Sequence, residues 1–143
     1  LMLRNADLAH DLPQSLGVAA AIAKVPLKVA FSSYPDQTTE LCDLVLPDHH
    51  PLESWGDAEP VRGTISLQQP TMDPIFQTRQ TADVLIQAAA GDPASAARYA
   101  TTRTWRDVIV GRFPGGATGL AAALPTGLAA GSTQASAAPA RTV

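Results

Sequence analysis

The sequence predicts an α/β protein, and three observations along its 143 residues lead to this class. Short apolar segments rich in β-branched residues alternate with segments rich in helix-forming residues in the first third of the chain. A long, proline-punctuated stretch follows, and the last thirty residues are almost entirely small. We therefore expect a Rossmann-like parallel sheet fragment, a long irregular loop and a low-complexity C-terminal tail.

The first half of the chain alternates between predicted strands and helices. Residues 1–3 form a short apolar run before a polar turn, which fits the end of a buried strand. Proline suits a first helical position and helix formers follow it, which predicts a helix over 13–24. Residues 27–32 and 43–47 are predicted strands separated by a helical turn at 38–42, and the very short, apolar segment 43–47 is typical of a strand buried on both faces of a parallel sheet.

The middle of the chain is predicted to be a long loop followed by helices. Residues 48–74 have little periodicity, and within them only 64–68 alternates like a strand. A helix is predicted over 78–90, because its apolar residues recur on one face. Gly91 is expected to end it. A weaker helix is expected from 93 to about 112.

The composition changes abruptly after Phe113. Residues 114–143 contain mainly Ala, Gly, Pro, Ser and Thr, so they have few side chains to bury against the entropy of ordering the chain. We predict a disordered tail there, and the alternative is a weak Ala/Leu helix at 117–124. The expected organisation is an α/β domain fragment at 1–90, a helical extension at 91–113 and this tail.

The bulk composition excludes several classes of function. The formal net charge of −3 is the opposite of what a nucleic-acid-binding surface requires, so we expect no nucleic-acid partner. Cys42 is the only cysteine, so the chain alone builds neither a disulfide nor a cysteine-ligated iron–sulfur cluster. The longest apolar run, 17–31, is interrupted by charges and a proline, so no membrane span is expected. The chain begins with Leu1 and without a signal-peptide pattern, which leads us to expect an internal piece of a longer protein.

A pair of adjacent histidines, His49 and His50, is the most obvious potential metal-binding feature. Carboxylates follow within ten residues and would complete a ligand set for a divalent metal; they are Glu53, Asp57 and Glu59. The spacing matches no established metal motif, and neighbouring side chains in an extended chain point in opposite directions. We therefore predict solvated or locally hydrogen-bonded histidines and no metal.

Two further arrangements suggest chemistry only weakly. Cys42 lies between apolar residues and is predicted to be a small core residue. Glu40 and Asp43 have the spacing of an acid–base pair, but a helix end places carboxylates there for capping and solvation. We predict no catalytic residue among these side chains.

Polar residues follow the predicted strands at their carboxyl ends. Asn5 follows the first strand, while Ser32, Ser33 and Asp36 lie at or after the end of the second. Ligands bind at this edge in open α/β sheets, which favours a binding role for these residues. Asn, Ser and Asp are also common turn formers, so an ordinary structural role is the alternative.

The order of these segments resembles a known family. The turn 5–7, the polar segment 32–43 and the Leu-Val-Leu-Pro run at 44–47 are similar to the third domain of the molybdopterin oxidoreductases. The segments 52–60, 63–70 and 78–85 resemble the variant found in the B subunit of alternative complex III, a quinol:electron-acceptor oxidoreductase. The resemblance covers about residues 1–90.

The resemblance implies a fragment of an iron–sulfur/molybdopterin-type oxidoreductase subunit that acts as a scaffold in a membrane-associated respiratory electron-transfer complex. The implied partners are the other parts of the same large subunit, which would hold the iron–sulfur clusters, and membrane-embedded quinol-handling subunits. The implied location is the periplasmic side of a membrane. No catalytic or metal-binding residue and no bound cofactor are expected in this segment itself.

In family members that bind molybdopterin guanine dinucleotide, the matching positions contact the cofactor, which here implies a vestigial dinucleotide pocket formed by Asn5, Ser32, Ser33, Asp36 and Thr39. One alternative is a molybdenum-cofactor-binding domain of an active molybdoenzyme, and another is a stand-alone α/β nucleotide-binding domain.

Trp55 is expected to pack on the surface left by the third strand and to anchor the long loop, with Gly56 allowing the turn beside it.

Overall fold

A computed structural model of the chain describes residues 1–130, which divide into two compact units. The first unit contains Leu1–Ser54 and Pro70–Thr104, and the second contains Trp55–Gln69 and the described residues from Trp105 onward. The long stretch after the third strand is therefore shared between the two units. This division differs from the expected boundaries at residues 90 and 113.

The first unit is built on a three-stranded parallel sheet in the order β1-β2-β3. β1 is Met2–Arg4, β2 is Val29–Ser32 and β3 is Leu44–Pro47, with Ala30 paired to both Leu3 and Val45. The central strand β2 carries three buried residues in a row and, with Ile22 and Ile86, contributes most of the buried apolar side chains of this unit. The predicted α/β class and parallel sheet are confirmed.

Three helices complete the first unit. α1 is Leu8–Asp11, α2 is Val18–Ile22 and α3 is Thr81–Gly91, and Gln14–Leu16 and Thr39–Leu41 form 3₁₀ turns. The single helix expected over 13–24 is wrong, because Gly17 adopts a left-handed conformation with φ of 62° and separates a 3₁₀ turn from α2. The expectation that the third strand is buried on both faces is also wrong: β3 is an edge strand, and Leu44 and Val45 are exposed.

The second unit is an antiparallel sheet with two helices. Its strands are β4 at Gly56–Val61, β5 at Thr64–Gln68 and β6 at Leu128–Ala130, with β5 in the centre. The helices α4 at Trp105–Arg112 and α5 at Gly116–Ala123 pack against each other. β4 lies in the stretch that the sequence assigned to an irregular loop, and α4 covers only the last 8 residues of the helix expected from 93 to 112.

A small apolar core lies between these helices and the antiparallel sheet. Its buried members are Ile109, Phe113, Leu120 and Ala123, and Trp55 packs against them as a partly buried side chain. Trp55 therefore contributes to the core of the second unit, whereas the sequence had suggested the surface left by the third strand.

The structure departs from the expected disordered tail over part of its length. Residues 116–123 form α5, where the sequence offered a weak helix only as the alternative, and Leu120 is 1% exposed. A single large apolar side chain is enough to order this short helix, because it completes the apolar core that α4 supplies. The remainder of the tail prediction, 131–143, lies outside the described residues.

A close backbone approach joins the start of α5 to the segment before it. A Cβ atom placed on Gly119 would overlap the carbonyl oxygen of Pro114, whereas one on Gly111 of α4 would meet nothing within 4 Å. Only glycine fits at position 119 without movement of the backbone.

None of the helices within residues 1–130 combines the length and apolar character needed to cross a membrane.

Candidate functional site

The carboxyl edge of the parallel sheet contains a shallow crevice of about 370 Å³. Three of the five expected site residues line it: Ser32 and Ser33 at the end of β2, and Thr39 from the following 3₁₀ turn. The remaining lining residues are mainly apolar and are Tyr34, Pro35, Glu40, Val45 and Pro47. Asn5 and Asp36 are not among the lining residues, so the structure brings together only part of the expected set.

The two serines use their hydroxyl groups within the fold. The Ser32 hydroxyl donates to the Tyr34 carbonyl at 2.7 Å and accepts from the Tyr34 amide at 3.2 Å, which closes a tight turn after β2. The Ser33 hydroxyl donates to the main-chain carbonyl of Asp48 at 3.1 Å. That bond connects the segment after β2 to the residue that follows β3.

Asp36 and Thr39 form a reciprocal hydrogen-bonded turn. The Asp36 carboxylate accepts from the Thr39 amide at 2.7 Å, and the Thr39 hydroxyl accepts from the Asp36 amide at 2.7 Å and donates to its carbonyl at 2.8 Å. Side chains of Asp and Thr commonly hold turns in this way. These two residues therefore shape the start of the 3₁₀ turn at Thr39–Leu41.

Asn5 differs from the other four expected residues. Its φ of 49° places it in the left-handed region, and it is the sole residue other than glycine with positive φ in the described part of the chain. Asparagine tolerates this conformation better than most residues. Its side chain is exposed and hydrogen-bonds to no residue within 1–130, so its amide is available at the end of β1.

Asp48, which the sequence analysis did not single out, is the most heavily bonded side chain at this edge and is 2% exposed. Its Oδ1 accepts from the main-chain amides of Thr81 at 2.8 Å and His49 at 3.1 Å. Its Oδ2 accepts from Nε of Arg4 at 2.9 Å, and the same Nε donates to the Thr81 hydroxyl at 3.1 Å. Asp48, which directly follows β3, thereby connects the end of β1 to the first turn of α3.

A second connection at the same edge joins the turns after β1 and β2. The Thr38 hydroxyl, buried in the structure, donates to the Asp7 carboxylate at 2.7 Å and accepts from the Ala9 amide at 2.9 Å. Because the Thr38 hydroxyl donates to it, the pKa of the Asp7 carboxyl is held below its ordinary value. This carboxylate is consequently part of the framework.

The adjacent histidines do not converge. His49 Nδ1 lies 2.6 Å from the Thr78 hydroxyl, whereas His50 Nδ1 accepts from the Leu52 amide in a capping box completed by Glu53. The Glu53 side chain is 6% exposed and its oxygens accept from the amides of His50 and Ile75. Those donors keep the pKa of the Glu53 carboxyl below its ordinary value. Within residues 1–130 no three His, Cys, Asp or Glu residues come together in a way that could hold a metal ion.

The other reactive side chains also have structural partners. Asp43 accepts from the amide and the ammonium group of Lys28, which holds the pKa of its carboxyl down. Cys42 is half-buried and its thiol donates to the Thr38 carbonyl at 3.4 Å. Burial raises the pKa of the Cys42 thiol, which makes it a poorer nucleophile. Glu40 is exposed and lines the crevice, so Glu40 and Asp43 do not form an acid–base pair around a shared site.

The polar residues lie at the edge of the sheet where a guanine dinucleotide would bind, but most of their hydrogen-bonding groups are already used within the fold. Ser32, Ser33 and Thr39 already bond to neighbouring backbone groups, so their binding a ligand would require breaking those bonds. Among the five expected residues, only Asn5 has a side chain that hydrogen-bonds to no residue within 1–130. The side chains expected from the sequence therefore do not provide a ready set of ligands for that cofactor.

Comparison with known proteins gives two relatives, and no family model matches the chain. A 90-residue stretch, 60% of this chain, is 37% identical to the menaquinone reductase molybdopterin-binding-like subunit of Nitratidesulfovibrio vulgaris and spans 13% of that protein. A 62-residue stretch, 42% of this chain, is 36% identical to a tetrathionate reductase subunit from Salmonella typhimurium and spans 6% of that protein. The chain thus corresponds to a small part of each relative. Together these homologues support a molybdopterin oxidoreductase family for this segment.

Proposed function

We propose that this chain is part of an oxidoreductase subunit in a membrane-associated respiratory electron-transfer complex, where it acts as a scaffold. In this proposal the redox centres, including iron–sulfur clusters, are held by other parts of the subunit. The B subunit of alternative complex III is the specific type that the sequence resembles. The partners are membrane-embedded subunits that handle quinol, together with the rest of the large subunit, and the location is the periplasmic side.

The observation that supports a scaffold role is the internal bonding of the strand-end side chains. At the edge where α/β proteins bind ligands, the hydroxyls of Ser32, Ser33 and Thr39 and the carboxylate of Asp48 hold the fold together. A ligand-binding edge needs donors and acceptors directed outward. Here most of them point into the fold, as expected for a domain that supports its neighbours.

The comparisons support the redox context of this proposal. The relative from Nitratidesulfovibrio vulgaris is named as a molybdopterin-binding-like subunit of a menaquinone reductase. Menaquinone is a membrane quinone, so that name agrees with a chain that works beside a quinol-handling partner.

Purification of the intact protein from native membranes tests this proposal. We expect it to co-purify with integral membrane subunits after mild detergent extraction and to be released from washed membranes only with them. A control variant with Asp73→Ala, an exposed carboxylate outside the helices and strands, should leave this behaviour unchanged. Recovery of the intact protein as a monomer in the fraction without membranes would contradict the proposal.

A second candidate function is the cofactor-binding domain of an active molybdoenzyme. The crevice at the carboxyl ends of β2 and β3 favours it, because it lies where ligands bind in parallel α/β sheets. Under this alternative, Asn5→Ala and Ser33→Ala in the intact protein should lower its molybdenum content and activity together. Under the scaffold proposal the same variants should leave electron transfer unchanged.

A further inference from the structure

We propose that the tip of loop 70–78, formed by Ile75 and Phe76 together with the neighbouring Leu52, is a docking surface. Its partner is an apolar pocket in another part of the same long polypeptide. The inference rests on the proposal that this chain is part of a larger subunit, and it names the contact through which that subunit holds the first unit. These three side chains are called the apolar tip below.

The apolar tip exposes large side chains side by side. Phe76 is 76% exposed, more than any other large apolar side chain within residues 1–130, and Ile75 is 67% exposed. Leu52 is half exposed, and its carbonyl accepts from the amides of Thr71 and Met72 at 2.8 and 3.3 Å, which holds the two segments together. Grouped apolar side chains on a surface mark sites of interaction, whereas single ones are ordinary.

Hydrogen bonds on both sides of the apolar tip fix its backbone. The Ile75 amide donates to Oε1 of Glu53, a carboxylate that is 6% exposed. Beyond the tip, the Thr78 amide donates to the Phe76 carbonyl at 2.8 Å, and the Thr78 hydroxyl lies 2.6 Å from His49 Nδ1. The loop is thus ordered before it meets a partner, which lowers the entropic cost of binding.

Charge and area disfavour two other occupants of this surface. Loop 70–78 contains Asp73 and neither Lys nor Arg, whereas segments that bind anionic membranes carry clustered cations. Burial of the three side chains covers on the order of 400 Å², and a stable contact between two separate proteins needs about 800 Å² on each partner. The apolar tip alone is therefore too small to hold a second copy of the chain.

A contact within one polypeptide is stable with less area, because the two surfaces are already linked and lose little translational freedom on docking. The stretch that matches the menaquinone reductase subunit spans 13% of that relative, so a protein of that kind has ample further chain to supply the pocket. These two points favour the same polypeptide as the source of the partner surface.

Hydroxyl-radical footprinting of the intact, unaltered subunit, purified away from its membrane partners, tests the docking. Peptide mass spectrometry gives the oxidation rate of each phenylalanine in the native and the urea-unfolded subunit. Phe31 is the buried reference, because it is 3% exposed against 76% for Phe76. A docked Phe76 should be oxidised at least about tenfold more slowly in the native subunit than in the unfolded one, as Phe31 is. A smaller protection of Phe76 would overturn the proposal.

The same measurement distinguishes the occupants. Protection of Phe76 that increases with subunit concentration would indicate a second copy, and protection only with the membrane subunits attached would indicate one of those; either result overturns the proposal. An unprotected Phe76 in a subunit that still co-purifies with membrane subunits refutes the docking alone. A protected Phe76 in a subunit that has no membrane partner refutes the membrane-complex proposal and leaves the docking in place.

A pair of variants tests whether Phe76 itself causes the docking. Phe76→Asp should raise the oxidation of Ile75 in the intact subunit by about fivefold or more, because an unpaired carboxylate is costly in an apolar pocket. Leu16→Asp is the matched control, since Leu16 is also an exposed apolar residue of the first unit, and it should leave Ile75 unchanged. An unchanged rate in Phe76→Asp, or an equal rise in Leu16→Asp, would contradict the proposal. If Phe76→Asp does not fold, the footprint of the unaltered subunit decides.

Discussion

Replacement of Asp48 by alanine should destabilise the first unit far more than its single charge suggests. The substitution leaves the buried Thr81 amide at the start of α3 without an acceptor, which costs about 1–2 kcal/mol by comparison with the loss of helix caps. It also removes the ion pair with Arg4, which contributes under about 1 kcal/mol because the arginine is half exposed. The expected loss in the free energy of unfolding is about 1–3 kcal/mol.

Urea denaturation followed by circular dichroism measures this change. Asp73→Ala serves as the control, because Asp73 is exposed and bonds to nothing within the described part of the chain, and its free energy of unfolding should change by less than about 0.5 kcal/mol. Asp48→Asn should fall between the two, since one amide oxygen can still accept from Thr81 while the amide nitrogen faces a donor on Arg4. A loss of less than about 0.5 kcal/mol for Asp48→Ala would refute the role assigned to this side chain.

Three further predictions concern pH, backbone packing and the C-terminal core. Because the pKa of Glu53 is lowered in the folded state, its contribution to stability is complete above its ordinary value of 4.5 and is lost as the pH falls through the folded pKa. Urea titrations at several pH values should show a smaller acid dependence in Glu53→Gln, and an unchanged dependence would contradict this. Gly119→Ala should lower the melting temperature, because the added Cβ would clash with the backbone. Gly111→Ala, where the added Cβ meets no other atom, should raise the free energy of unfolding by about 0.5–1 kcal/mol. Equal effects of the two substitutions would show that the close approach at Gly119 is absent. Leu120→Ala should cost about 2–5 kcal/mol in the free energy of unfolding of the second unit, while exposed Leu128→Ala should cost far less, and similar small losses would indicate that α5 is not part of a packed core.

The parallel sheet could be predicted from the sequence, because the residues that mark its strands lie within those strands or directly beside them. The strand over 27–32 is bounded by a proline and a polar turn, and the apolar run at 43–47 is equally well bounded, so periodicity and turn residues locate both. The crevice at their carboxyl ends follows from the topology of parallel sheets, and Ser32 and Ser33 line it.

In the second unit the strand predicted over 64–68 is β5, whereas β4 and α5 could not be predicted with the same certainty, because their formation depends on distant contacts. β4 contains Pro60 and acidic residues, which disfavour strands, and it is stabilised by pairing with β5 at the edge of the sheet. α5 has few apolar side chains, and its order depends on burial of Leu120 against α4. Contacts between segments far apart in sequence decide both elements.

The candidate site shows the same limit. The sequence places Asp48 directly after a strand, but its burial depends on Arg4, forty-four residues earlier, and on the amide of Thr81, thirty-three residues later. Conversely, the turn-forming alternative for Ser32 and Asp36 agrees with their observed hydrogen bonds. The residue types were enough to predict that this edge of the sheet is polar. The structure was needed to show which partner each side chain bonds to.

The molybdenum content of the intact protein, purified from its native membrane and measured per polypeptide by elemental analysis, tests the scaffold role most directly. The scaffold proposal predicts iron from clusters in other parts of the protein and no stoichiometric molybdenum, because most polar side chains at the expected pocket bond within the fold. About one molybdenum atom per polypeptide, lost on Asn5→Ala and Ser33→Ala, would contradict it and identify this edge as a cofactor-binding wall.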